Sequence, residues 1–165
     1  MFSTVLVAVP VMAILTIVQT SVLPRFALFE VNPSLPFLVA LAWSLLSNVE
    51  EGVIWAFIGG LFMDIFTIAP VGGLSLTYTI AVFAVSLIAD LLPANRFVFP
   101  VLITVVATTL QQLLYLLYLR IFGISVNGTL FNIMQTVIIQ AILIIPIYGL
   151  MYLVKRTVWP RPVQI

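Results

Sequence analysis

Apolar runs close to the length of a membrane span recur from one end of this 165-residue chain to the other. A single soluble core has no use for so many in succession, so the chain reads as a polytopic membrane protein. Hydrophobic residues make up 64% of it, against roughly 45–50% apolar in an ordinary soluble domain. Its charge is limited to six basic and five acidic residues. No part is long enough to be a separate soluble domain. The expectation is one integral membrane domain over residues 1–165, an all-α polytopic transmembrane helical bundle. About six spans are expected, at roughly 2–22, 34–49, 53–68, 74–92, 100–121 and 129–154. The first run is long and lacks a basic flank, so it reads as a span rather than a cleaved signal. A five-span arrangement, with one short run re-entrant, competes with this.

The second and third runs are short. With Glu50, Glu51 and Gly52 between them as a tight acidic turn, they read as a helical hairpin that tilts little or locally thins the bilayer. Pro10 falls inside the first run and predicts a kink. Pro36 falls in the first turn of the second, where proline is tolerated. Orientation follows from basic residues near span ends. With six spans, Arg96, Lys155, Arg156 and Arg161 lie on the side of the termini, and Arg25 and Arg120 on the other. Both termini are therefore expected in the cytoplasm.

Composition also narrows the chemistry. A net charge of +1 leaves no basic patch to neutralise phosphates, which argues against nucleic acid. Without Cys there are no disulfides, thiolate ligands or thiol nucleophiles. Without His the commonest general base and metal ligand is gone. No G-x-S-x-G elbow and no Walker lysine motif occurs. Asp64 and Asp90 are the only aspartates; they sit on different spans and, if both spans cross fully, lie toward opposite ends of the membrane. Paired-carboxylate catalysis is remote on that placement. The chain is expected to be no enzyme and to need no cofactor or metal.

The stretch that carries most information runs from Ala56 to Leu76, A-F-I-G-G-L-F-M-D-I-F-T-I-A-P-V-G-G-L-S-L. Ala56, Gly60 and Asp64 are spaced four apart and share one helical face. A second helix can approach such a face closely and present its backbone or a polar group to Asp64. Insertion scales put an aspartate at a helix centre at about 2.5–3.5 kcal/mol. Asp64 is thus either functional or a structural pin or helix-end cap. Gly59 and Gly60 permit close packing, and Gly72 and Gly73 a tight turn after Pro70.

Three further polar groups recur at helical spacing. Ser75, Thr79, Ser86 and Asp90 form a stripe on the fourth span. Thr104, Thr108, Gln111 and Tyr115 form another on the fifth, with Gln112 beside it. Asn132, Gln135, Thr136 and Gln140 follow on the sixth. Such stripes should face the bundle interior, as inter-helix contacts worth about 0.6 kcal/mol per hydrogen bond or as the lining of a cavity. Asp90 is within reach of the Asn95–Arg96 link as an interfacial ion pair, and Lys155 and Arg156 suit anionic headgroups.

The order of these features resembles one known family. Gln19-Thr20-Ser21 ends the first span and Leu23-Pro24 opens a loop. Pro33 and Leu35 then head the second span, before G-L-F-M-D-I-F (60–66) and P-V-G-G-L (70–74). Together they resemble MreD, the small membrane protein family of the bacterial rod-shape system, over roughly residues 15–90. The chain departs from it at Ser34, where the family commonly carries an acidic or amide residue. The resemblance implies a non-enzymatic scaffold of the cell-elongation machinery in the cytoplasmic membrane. Its implied partner is an MreC-like bitopic protein, with an MreB-type filament and the wall-synthesis glycosyltransferase and transpeptidase nearby. The family is also similar to the six-helix substrate-binding subunits of energy-coupling-factor transporters. That supplies an alternative, a small-solute-binding subunit whose polar stripes line a pocket. On the scaffold reading, Gly60, Asp64, Pro70 and Gly73 shape the signature hairpin. The Ala56–Gly60 face turns inward, and Gly52 and Gly59 are left outside to receive a partner helix.

Overall fold

A computed structural model describes residues 2–21, 33–67, 69–89, 98–124 and 130–158. Six helices occupy them: α1 (Phe2–Ser21), α2 (Leu35–Leu46), α3 (Val49–Ile65), α4 (Gly73–Ala89), α5 (Val98–Ile121) and α6 (Leu130–Val158). No strand occurs among the described residues.

Two boundaries correct the sequence reading. Glu50, Glu51 and Gly52 do not form a turn; they are in the opening turn of α3. Acidic side chains suit a helix start, where the backbone dipoles leave partial positive charge. The reversal instead falls at Ser47 and Asn48, with Asn48 extended at φ −135° and ψ 154°. α6 runs for 29 residues to Val158, past the expected end at 154. Pro10 and Pro146 both lie inside helices.

Helix lengths are unequal. At 1.5 Å per residue, α2 with its 12 residues is about 18 Å long. α3 and α4, at 17 residues each, are about 25 Å, against about 30 Å of bilayer hydrocarbon. Among the described residues two segments are long and apolar enough to cross a membrane, Phe99–Ile121 in α5 and Leu130–Thr157 in α6. The apolar stretches Val5–Ser21, Leu35–Leu46 and Gly73–Ala89 are shorter.

The shortest helix is the centre of the bundle. α2 packs against all five others, and each residue from Pro36 to Ser44 is buried. Its sequence is apolar on every side, which only a fully enclosed helix can satisfy. Among the described helices, α3 lies against α1, α2 and α4, and α6 against α5 and α2. The outer surface is apolar, with Leu6, Phe83, Leu102, Leu117, Leu130 and Ile142 all exposed. The interior holds buried Thr16, Gln19, Ser44, Ser86, Thr108 and Gln140. Apolar groups outside and hydrogen-bonding groups inside are what a lipid solvent favours.

Two contacts fix relative direction. Gln19, near the end of α1, meets Leu35 at the start of α2. Lys155, near the end of α6, meets Leu46 at the end of α2. α1 therefore runs against α2 and α6 runs with it. The start of α1 and the end of α6 share one end of the bundle.

Candidate functional site

The α3–α4 hairpin is built on one close approach. A Cβ added at Gly60 would lie 2.6 Å from Ser75 N and closer still to Ser75 Cα. Only glycine lets the α3 and α4 backbones touch there. One turn further along α3, Asp64 is 2% exposed. Its Oδ1 accepts a hydrogen bond from Leu74 N at 2.8 Å. Its Oδ2 accepts from Gly72 N at 3.0 Å and Ser75 N at 3.1 Å. Leu74 and Ser75 are in the first turn of α4 and Gly72 immediately precedes it, and the N–H groups at a helix start have no partner within their own helix. Asp64 therefore caps α4 from the neighbouring helix, in the charge sense that a helix start favours.

The turn between the two helices is held just as closely. Gly72 has φ +105° with open space around it, so backbone conformation rather than room requires glycine. At Gly73 room is tight: a Cβ there would lie 2.5 Å from Tyr118 Cε1, so the ring would have to shift. The Tyr118 hydroxyl donates to Pro70 O at 3.2 Å. The ring of Phe122 stands 4.8 Å from that of Tyr118. The sequence reading stopped at Tyr115 and missed Tyr118, although Tyr115, Tyr118 and Phe122 recur at i, i+3 and i+7.

Gly52 and Gly59 correct the expectation of a free partner face. Both are buried. A Cβ at Gly52 would collide with Ser44 of α2. At Gly59 it would lie 3.1 Å from both Met12 Sδ of α1 and Pro36 Cβ of α2. This surface is filled by the chain's own first two helices. Ala56, one turn from Gly60, is buried as well.

The polar stripes reach different neighbours. Ser75 and Ser86 are buried and Thr79 is half-buried. Ser86 is hydrogen-bonded to Ser44 of α2. Ser75 Oγ donates to Gly72 O at 3.1 Å, and Thr79 Oγ1 to Ser75 O at 2.6 Å. On α5, Thr104, Thr108 and Gln111 are buried. Thr108 Oγ1 donates to Gln140 Oε1 of α6 at 2.7 Å, while Thr104 Oγ1 donates to Pro100 O of its own helix at 2.7 Å. One residue of each stripe thus bonds across to another helix, Ser86 to α2 and Thr108 to α6, while Ser75, Thr79 and Thr104 bond carbonyls of their own segment. Gln140 Nε2 and Trp55 Nε1 are buried and find no hydrogen-bond partner among the described residues. On α6, Thr136 is buried and Asn132 exposed. Asp90, Arg25, Glu30, Asn95, Arg96 and Arg161 lie outside the described residues.

The caps of α2 come from distant parts of the chain. Leu35 N donates to Gln19 Oε1 at 2.7 Å. Ser34, at the N-cap position, makes no cap bond with its side chain and instead bonds the Tyr78 hydroxyl. At the other end Lys155 Nζ donates to Leu46 O. Beside it Glu51 accepts from Trp43 Nε1 at 3.0 Å and from the Ser47 hydroxyl. Glu51 is therefore a structural side chain, not part of a solvated turn.

The chemistry of this arrangement is positional. Both Asp64 oxygens accept from backbone N–H groups, and the hydroxyls bond backbone carbonyls, one another or the side chains of Glu51 and Gln140. Among the described residues no three Asp or Glu side chains gather where they could hold a metal. A family model described as rod shape-determining protein MreD matches residues 1–158. No curated protein and no solved structure matches the chain, so the likeness to transporter subunits has no support from a known structure.

Proposed function

Since the chain belongs to the MreD family, membrane proteins of rod-shape determination, we propose that it is a non-enzymatic scaffold of the cell-elongation machinery. In this reading it binds an MreC-like single-span partner within the cytoplasmic membrane and helps position peptidoglycan synthesis. The MreB-type filament and the wall-synthesis glycosyltransferase and transpeptidase belong to the same assembly. The observation that carries the reading is the family match over residues 1–158. The packing supports it: the carboxylate and most hydroxyls of the bundle hold the chain's own backbone, which leaves an apolar exterior for recognition.

Co-expression with an MreC-like single-span protein, followed by purification in mild detergent, tests this. The partner is expected to remain bound through size exclusion. Loss of the partner from the unmodified chain, with native mass spectrometry finding a bound small solute instead, overturns the scaffold and favours the solute-binding alternative.

A further inference from the structure

We infer that the seam between α5 and α6 binds one water molecule in the membrane interior, held between the side-chain amides of Gln140 and Gln111. This is independent of the partnership proposed above and concerns the inside of the bundle. It starts from an amide that is only half answered. Gln140 is 0% exposed. Its Oε1 accepts from Thr108 Oγ1 at 2.7 Å, and its Nε2 finds no partner among the described residues. Exchanging the oxygen and nitrogen of the amide does not cure this. It turns the Thr108 bond round and leaves the other end of the amide unmet. Gln140 and Thr108 each stand about 15 Å from the start of their helix. Against about 30 Å of hydrocarbon that is mid-depth, beyond the reach of bulk water and headgroups. A polar group left without a partner there is costly, and protein interiors answer such groups with enclosed waters.

The neighbouring side chains supply the further bonds a water needs. Ser34 bonds Tyr78 and Ser44 bonds Ser86, so α4 runs with α2, as α6 does. Tyr118, near the end of α5, meets Pro70 and Gly73 at the start of α4, so α5 runs against both α4 and α6. Thr108 stands level with Gln140. Three residues further along α5, Gln111 therefore stands about 4.5 Å nearer the start of α6, beside Thr136. Gln111 and Thr136 are both buried. Thr136 donates to Asn132 O, which leaves its oxygen free to accept. Neither group bonds Gln140 Nε2 directly. A water spans the gap by accepting from Gln140 Nε2 and donating to the Gln111 amide oxygen and to Thr136 Oγ1, within the two to four bonds typical of an enclosed water. Ala107 and Ile144, adjoining Thr108 and Gln140, are also 0% exposed, so the occupant is small and enclosed. Trp55 Nε1, the other unmet donor, is one N–H on a ring stacked 4.8 Å from Trp43, and it offers a water a single bond.

The test uses the full chain, isotope-labelled and reconstituted in lipid bilayers. Water-edited solid-state NMR reads the transfer of proton magnetisation from water to each assigned amide. The Gln140 side-chain amide is expected to receive it under conditions in which the backbone amides of the equally enclosed Leu38 and Leu41 receive none. Transfer to Gln140 no greater than to Leu38 and Leu41 means that the seam is dry and overturns the inference. This measurement needs no variant, so it decides the matter even where a substitution fails to fold. Melting in mild detergent, with folding checked by size exclusion, is the second measurement. Gln140→Leu and Gln111→Leu each remove the shared bridge, so the double variant is expected to melt close to the lower of the two single variants. Fully additive shifts would show that the two amides share no occupant and overturn the bridge. Native mass spectrometry of the unmodified chain is expected to find no bound solute. A solute that Gln140→Leu releases would put that molecule in the place of the water, and would overturn the inference in favour of the solute-binding alternative.

Discussion

At the scale of a residue, Asp64 decides how the hairpin holds. It satisfies three N–H groups at and just before the start of α4, and each buried donor left unmet costs about 1–3 kcal/mol. Asp64→Ala abandons all three. Asp64→Asn can place its carbonyl where Oδ2 stands and keep Gly72 and Ser75, setting its amide against Leu74 N. Thermal melting in mild detergent should therefore rank wild type above Asn and Asn above Ala. Equal loss in both variants would mean that the negative charge itself holds the turn. Gly60→Ala is expected to destabilise by about 1–3 kcal/mol through collision with the Ser75 backbone. Gly149→Ala, in open space, should leave the melting temperature near that of wild type. Asp64 was legible in the sequence because a carboxylate in an apolar run must be answered by something. The direction of Gly59 was not. Apolar residues surround α3 on nearly every side, so periodicity gave no inward face, and the neighbours Met12 and Pro36 lie far off in the chain.

At the scale of an element, α2 is short, apolar and enclosed, and its ends are met by other helices rather than by water. Replacing Gln19 with Leu leaves Leu35 N without its acceptor, and replacing Lys155 with Met removes the donor at Leu46 O. Both variants are expected to lower the melting temperature, and the double variant by about the sum of the two. The sites lie at opposite ends of α2, and distant sites add to within roughly 0.5 kcal/mol. A marked excess over additivity would show that the two caps act as one unit. The helices themselves were readable from their apolar runs. The caps were not, because local sequence carries no trace of a donor 109 positions away. Glu50 and Glu51 misled for a related reason: acidic residues suit both an exposed turn and a helix start, and only the extended Asn48 separates the two.

At the scale of the whole molecule, the start of α1 and the end of α6 share one end of the bundle, which an even number of crossings requires. Reporter fusions after Thr67 and after Asn95 are expected to read outside and inside respectively, from the distribution of basic residues. Opposite signals at both sites would invert the molecule. The central helix also imposes an order in time. A ribosome delivers α2 early, yet the lysine that meets its last carbonyls arrives only with the final helix, 109 residues later. Until then the last turn of α2 stands without that donor and without the face of α6 that packs on it. Closure of the middle therefore awaits the last helix to be made, and a chain stalled before Lys155 would leave the membrane holding a ring around an unfinished centre.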